Sequence, residues 1–197
     1  MLYFLSDAYL NVPRADVMET MWSGGLLESW PLDRTHTDAA AGLERMVRFT
    51  TDWTPDSMAL LEWDYMRLFI GVGKTHAPPF ESVYLSEEHI LFERETLEVR
   101  QWYAKYGLRV PQLHVVPDDH IGYELFFVAR LSDRVASLLD SGETEAATAV
   151  REDCRRFVET HPHRWVDLFV SRILGHAQTD FYAAIGLMTR SVVQQSA

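Results

Sequence analysis

The sequence predicts an all-α protein, a single domain built as a helical bundle. Three observations carry this expectation. Apolar residues recur at helical spacing in nearly every stretch between chain breakers, strand signals are scarce, and the connections are short enough to join antiparallel neighbours. At 197 residues the chain can bury a substantial core without staples, and about eight to ten helices would fill it.

Taken in order, Leu2, Leu5, Tyr9 and Leu10 mark a short first helix that stops before Pro13. Val17, Met21 and Trp22 suggest a second, closed by Gly24 and Gly25. Leu43, Met46, Val47 and Thr50 lie at the i, i+3, i+4, i+7 positions of a third. A fourth starts near Asp56 and carries Leu60, Leu61, Asp64, Leu68 and Phe69. From Gly71 to Pro79, two glycines and two prolines exclude regular structure. Helix resumes near Glu87 with the stripe Phe92, Thr96, Val99, Tyr103, Tyr106 and ends before Gly107. Residues 113–116 are the one short strand candidate. Ile121, Leu125, Val128, Leu131, Val135 and Leu138 trace a long amphipathic helix that stops near Gly142. Three more helices are expected over about 144–160, 163–176 and 179–194.

Composition narrows the functional classes. A net charge of −11, with Lys74 and Lys105 the only lysines, disfavours nucleic acid and anionic membranes and favours cationic partners. Six glutamates between positions 81 and 98 (Glu81, Glu87, Glu88, Glu93, Glu95, Glu98) face one arginine, Arg94, which reads either as a solvated helix face or as an acidic rim for a basic peptide. The lone Cys154 cannot form an internal disulfide and suits a reducing compartment, where it serves as a small hydrophobe within a helix. No apolar run reaches the roughly 20 residues that span a bilayer. The amino terminus shows no basic leader or cleavage site, so a soluble, cytoplasmic protein is expected.

Three islands stand out against this helical background: Tyr65-Met66-Arg67-Leu68-Phe69-Ile70-Gly71, the stretch from Ala77 through Pro78, Pro79, Phe80, Glu81, Ser82, Val83 and Tyr84 to Leu85, and Pro117-Asp118-Asp119-His120-Ile121-Gly122. In the third, an aspartate before an apolar run is a natural helix cap, and a second carboxylate suits the positive end of the helix dipole. Neither role explains His120. Glu124, one turn on, shares its face and could hold the imidazole. Acceptors gathered at such a corner suit a guanidinium. In the second island, Pro78 and Pro79 stiffen an extended segment whose Phe80 and Tyr84 either pin it to the bundle or wall a groove. Tyr65, Leu68 and Phe69 have core spacing, and Gly71 is a helix-ending glycine.

Catalytic and metal motifs are missing. There is no GxSxG elbow, Rossmann glycine pattern, CxxC pair, HExxH or Glu-x-x-His, and Gly71-Val72-Gly73-Lys74-Thr75 fails the phosphate-loop spacing. A protein that binds is expected, with no metal or cofactor of its own.

The three islands in this order, with Phe157, His161, Trp165 and Phe181-Tyr182 behind them, resemble the TorD/DmsD family of redox-enzyme maturation chaperones, related to the NarJ-like group. Val72 stands where relatives often carry proline. The resemblance implies a cytoplasmic chaperone of TorD-like helical fold. Such a chaperone binds the twin-arginine signal peptide and the apo form of a molybdenum-cofactor oxidoreductase, and delays export until the cofactor is inserted. Asp118, Asp119, His120 and Glu124 are then expected to meet the polar part of the peptide. Tyr65, Leu68, Phe69, Pro78, Pro79, Phe80 and Tyr84 would supply apolar walls. A homodimer by helix exchange is compatible with this reading. Two rivals remain open: a metal- or nucleotide-dependent helical enzyme using the Asp118-Asp119-His120 corner, and a plain protein–protein adaptor.

Overall fold

A computed structural model describes residues 1–18, 25, 33–54, 56–71, 74–86, 94–111 and 116–197. Nine α-helices lie wholly among these residues, residues 15–18 are helical as well, and there is no strand beyond a single bridge among them. The nine are α1 (Leu2–Leu10), α2 (Thr37–Thr51), α3 (Ser57–Tyr65), α4 (Glu81–Leu85), α5 (Arg94–Lys105), α6 (Ile121–Asp140), α7 (Thr144–Thr160), α8 (Pro162–His176) and α9 (Asp180–Ser196). The expected all-helical architecture holds. Most of the expected second helix, the start of the fifth and the 113–116 strand candidate lie outside the described residues.

The last helix is the axis of the bundle. From Phe181 to Val193 nearly every residue of α9 is buried, so its surface is apolar around most of its circumference rather than along one stripe. It packs against α2 on one side and α8 on another, while α6 packs between α1 and α7. An aromatic cluster joins the layers: Tyr9, Phe69, Phe169 and Tyr182 lie with ring centroids 5.4–6.2 Å apart. Such pairs add to the stabilisation that burial alone provides.

Two departures from the expected elements shape the functional face. The fourth predicted helix changes character after Tyr65 into a π-helical turn, Met66–Ile70, closed by Gly71 in the left-handed region at φ +88°. Its end is satisfied by the returning chain: His76 N donates to Arg67 O (3.2 Å) and Ala77 N to Leu68 O (2.8 Å). The second departure is α4. The sequence predicts that helix resumes only near Glu87, yet Glu81–Leu85 forms a short helix directly after the prolines.

Asp64 pins α3 to the start of α9. Its Oδ2 accepts from Gln178 N (2.9 Å), Thr179 N (2.9 Å) and Thr179 Oγ1 (2.8 Å), and Oδ1 faces Arg67 at 3.4 Å. A carboxylate buried to zero exposure is tolerable only with such a full set of donors.

Candidate functional site

The second and third islands meet. Phe80 and His120 form an antiparallel bridge in which Glu81 N donates to Asp119 O (3.0 Å) and Ile121 N to Pro79 O (2.9 Å). Pro79 has no N–H to offer, but its carbonyl is free, and the bridge uses that carbonyl. The ring of Phe80 sits edge-on to His120 at 5.1 Å. The stiff double-proline segment and the start of α6 are thereby joined as one corner.

Its carboxylates face inward. Asp119 is fully buried, its Oδ2 accepting from Ser82 N (2.8 Å) at the first turn of α4 and its Oδ1 from Thr96 Oγ1 on α5 (2.7 Å). Asp118, also fully buried, receives Arg100 through Nε (3.1 Å) and Nη2 (2.7 Å) on one oxygen, and its carbonyl accepts from Tyr103 Oη. The internal Arg100 thus occupies the guanidinium position that sequence reading gave to a partner. Among the described residues these two aspartates tie α4, α5 and α6 together, and neither presents a free carboxylate to solvent.

His120, not an aspartate, caps α6. Its Nδ1 accepts from Gly122 N at 3.0 Å, and burial pushes its pKa down to about 3, so the ring is neutral. A neutral acceptor removes the objection to a cation at a helix N-terminus. The expected contact with Glu124 is not made: Glu124 points instead toward Glu81, Asp119 and Trp165. Burial, then the charges of Glu81 and Asp119, raise its pKa well above the usual carboxylate value. Glu81 is fully buried and holds His161 Nδ1 at 3.0 Å through Oε2. Burial raises its pKa too, against the pull of His161. It is therefore an internal group and not part of an acidic rim. Glu87, Glu88 and Glu93 lie outside the described residues.

The predicted apolar walls divide by exposure. Tyr65, Leu68, Phe69 and Tyr84 belong to the core, and Pro79 is buried under the bridge. Pro78 and Phe80 keep partial exposure. An open apolar cavity of about 230 Å³ lies on the far side of the corner, lined by Leu10, Tyr103, Leu108, Val110, Tyr123 and Phe126 among others. It adjoins the third island directly. Tyr103 carries the hydrogen bond to Asp118, Tyr123 packs at 5.7 Å from His120, and Leu10 presses on Gly122 so closely that an added Cβ would stand 2.6 Å from Leu10 Cγ. Sequence reading missed this cavity, because Leu10 and Tyr123 are ordinary helical residues until α1 is laid on α6. It also missed Arg100, Thr96 and Asp64. An arginine followed eighteen residues later by a buried aspartate leaves no local pattern.

These arrangements hold a surface in place and offer no reacting group. The described residues contain no cluster of three or more His, Cys, Asp or Glu side chains able to hold a metal ion. Cys154 is half-buried, and burial pushes its thiol up to about 11, far from a reactive thiolate. No helix among the described residues is long and apolar enough to cross a membrane.

Comparison with known proteins decides the family. The profile of the family described as nitrate reductase delta subunit matches residues 32–171. The chain belongs to that family. The Tat proofreading chaperone DmsD of Salmonella paratyphi A is 26% identical over 195 residues, covering 99% of this chain and 83% of its own. The chaperone protein TorD of Vibrio cholerae is 23% identical over 171 residues, 87% of this chain and 74% of its own. A crystal structure described as that of a redox enzyme maturation protein from Archaeoglobus fulgidus superposes with a TM-score of 0.56 at 18% identity, over 98% of this chain and 91% of that one. It confirms the helical fold. With these relatives the chain is a chaperone of the nitrate reductase delta subunit family.

Proposed function

We propose that this chaperone works in the cytoplasm on a molybdenum-cofactor oxidoreductase, binding its twin-arginine signal peptide and apo form and delaying export until the cofactor is inserted. The observation that carries the reading is the joined corner. The Phe80–His120 bridge fixes the start of α6, where Tyr123 and Phe126 line an open apolar cavity, on a chain of net charge −11. A signal peptide is basic and then apolar. The cavity suits the apolar stretch, and the negative field of the molecule speeds encounter with the basic one.

Within this reading the predicted site residues take different parts. Pro78 and Phe80 touch the peptide from the rim, and the buried His120 lies beneath Phe80. Asp118 and Asp119 act from beneath, holding the corner in shape, Glu124 lies buried below them, and Tyr65, Leu68, Phe69, Pro79 and Tyr84 support the wall from the core. A preformed wall lowers the ordering cost of binding. The same chain as a homodimer would present two such corners.

The test is a titration of the purified protein with a fluorescent twin-arginine peptide, against the same peptide with both arginines changed to glutamine. Binding of the first peptide that weakens with salt, weak binding of the second, and about a tenfold loss in Phe126→Ala or Tyr123→Ala support the reading. Equal binding of the two peptides would leave a plain adaptor. Undiminished binding by both cavity variants would move the site elsewhere.

A further inference from the structure

Between α4 and the C-terminal half of α8 lies a second cleft of about 400 Å³. Val83, Tyr84 and Leu168 form its apolar side, while Ser171, Arg172, Gly175 and His176 form its polar side. Its charge runs against that of the whole chain. The Arg172 guanidinium lies 4.8 Å from the centroid of the Tyr84 ring and has no carboxylate partner among the described residues. His176 stacks on His76 at 4.4 Å, and Arg67 Nη1 donates to His176 O at 3.4 Å. Lys74 stands close enough to act electrostatically on His76. Among the described residues, the one carboxylate in the group is Asp64. It is fully buried and already saturated by Arg67 and the start of α9.

The helix dipole accounts for part of this arrangement, since Arg172 and His176 occupy the last turns of α8 where cations are favoured. It does not account for His76 and Lys74, which the loop after Gly71 brings in from the other side. Arg172 and His176 line the cleft and His76 stacks on His176, so that on a chain of net charge −11 the cleft carries a positive spot that a bound anion would neutralise. Burial, followed by repulsion from His176, Arg67 and Lys74, lowers the pKa of His76, as expected where positive charge lacks a counterion.

We propose that the α4–α8 cleft binds a phosphate group, with Arg172 and His176 as its donors, Ser171 Oγ at its edge, and His76 closing over it. A planar guanidinium fork matches phosphate oxygens, and the volume of the cleft lies in the range of small-molecule sites. The apolar side formed by Val83 and Leu168 favours a phosphate ester over the free ion. This site stands apart from the peptide-docking corner, and either assignment can fail without the other.

The test follows the histidine ring signals of the whole chain by NMR at low ionic strength during titration with inorganic phosphate, phenyl phosphate and, as a carboxylate control, benzoate. Saturable shifts of His76 and His176 in the millimolar range or below are expected, with phenyl phosphate the tighter ligand. The apparent pKa of His76 should rise on binding. Arg172→Gln and His176→Gln, each checked for an unchanged melting curve, should weaken phosphate about tenfold. If phosphate binds as strongly as phenyl phosphate, the ester preference is wrong and only the anion site stands. Absence of saturable shifts in the wild-type chain, equal response to benzoate, or unaltered affinity in both variants would overturn the site.

Discussion

Replacing Glu124 by Gln keeps the shape of the side chain while removing a proton equilibrium from the interior. Glu124 is fully buried, and neither of its oxygens has a hydrogen-bond partner of normal geometry. Its folded pKa lies well above the usual carboxylate value of 4.5. The sign follows by linkage. Below the unfolded pKa both states are protonated and the fold bears no penalty. As pH rises above it, the unfolded chain releases the proton while the folded chain retains it, and stability falls until the folded pKa is passed. Each unit of upward shift is equivalent to about 1.4 kcal/mol lost at high pH. The melting temperature of the wild-type chain should therefore decline from about pH 5 toward alkaline pH, and Glu124→Gln should flatten that decline and melt higher at pH 8. A variant with the same pH profile as the wild type would show that Glu124 is ionised and paired. The neighbouring Asp119 has both oxygens hydrogen-bonded. Asp119→Ala would strand Ser82 N and Thr96 Oγ1 and cost roughly 2–4 kcal/mol in urea unfolding.

Elements explain why some of this was legible in the sequence and some was not. Helices α6 to α9 emerge where apolar spacing placed them, because each buries one face or, for α9, nearly its whole surface. Gly71 ends its helix as expected, but the π turn before it has no signal in composition, since the extra residue is accommodated by hydrogen bonds from His76 and Ala77 further along the chain. The corner was found by its residue types, yet the orientation of its carboxylates was not. Whether an aspartate faces solvent or a neighbouring helix depends on Arg100, Thr96 and Ser82, which reach it only when α4 and α5 are packed. Packing of α1 on α6 gives an element-scale prediction. Gly122 leaves no room for a Cβ beneath Leu10, and Ser6 Oγ donates to its carbonyl at 2.8 Å. Gly122→Ala should cost about 1–3 kcal/mol by overpacking, read from chemical denaturation. Adding Leu10→Ala should return part of that loss, whereas a neutral Gly122→Ala would mean that the two helices stand further apart.

For the molecule as a whole, buried charge and open apolar surface are divided between layers. Asp118, Asp119, Glu81 and Glu124 lie inside the bundle, and the side chains left at least partly exposed near them, Phe80, Tyr123 and Phe126, are aromatic. That division suits a protein whose work is to hold another chain without acting on it chemically. The most direct measurement places a photo-activatable cross-linker in the apolar stretch of a twin-arginine signal peptide and maps the attachment sites by mass spectrometry. Attachment concentrated on Leu10, Tyr123, Phe126 and the Pro78-to-Phe80 segment is predicted, lost when unlabelled peptide is added. Attachment spread over α2 and α9, or unaffected by competitor, would contradict the account.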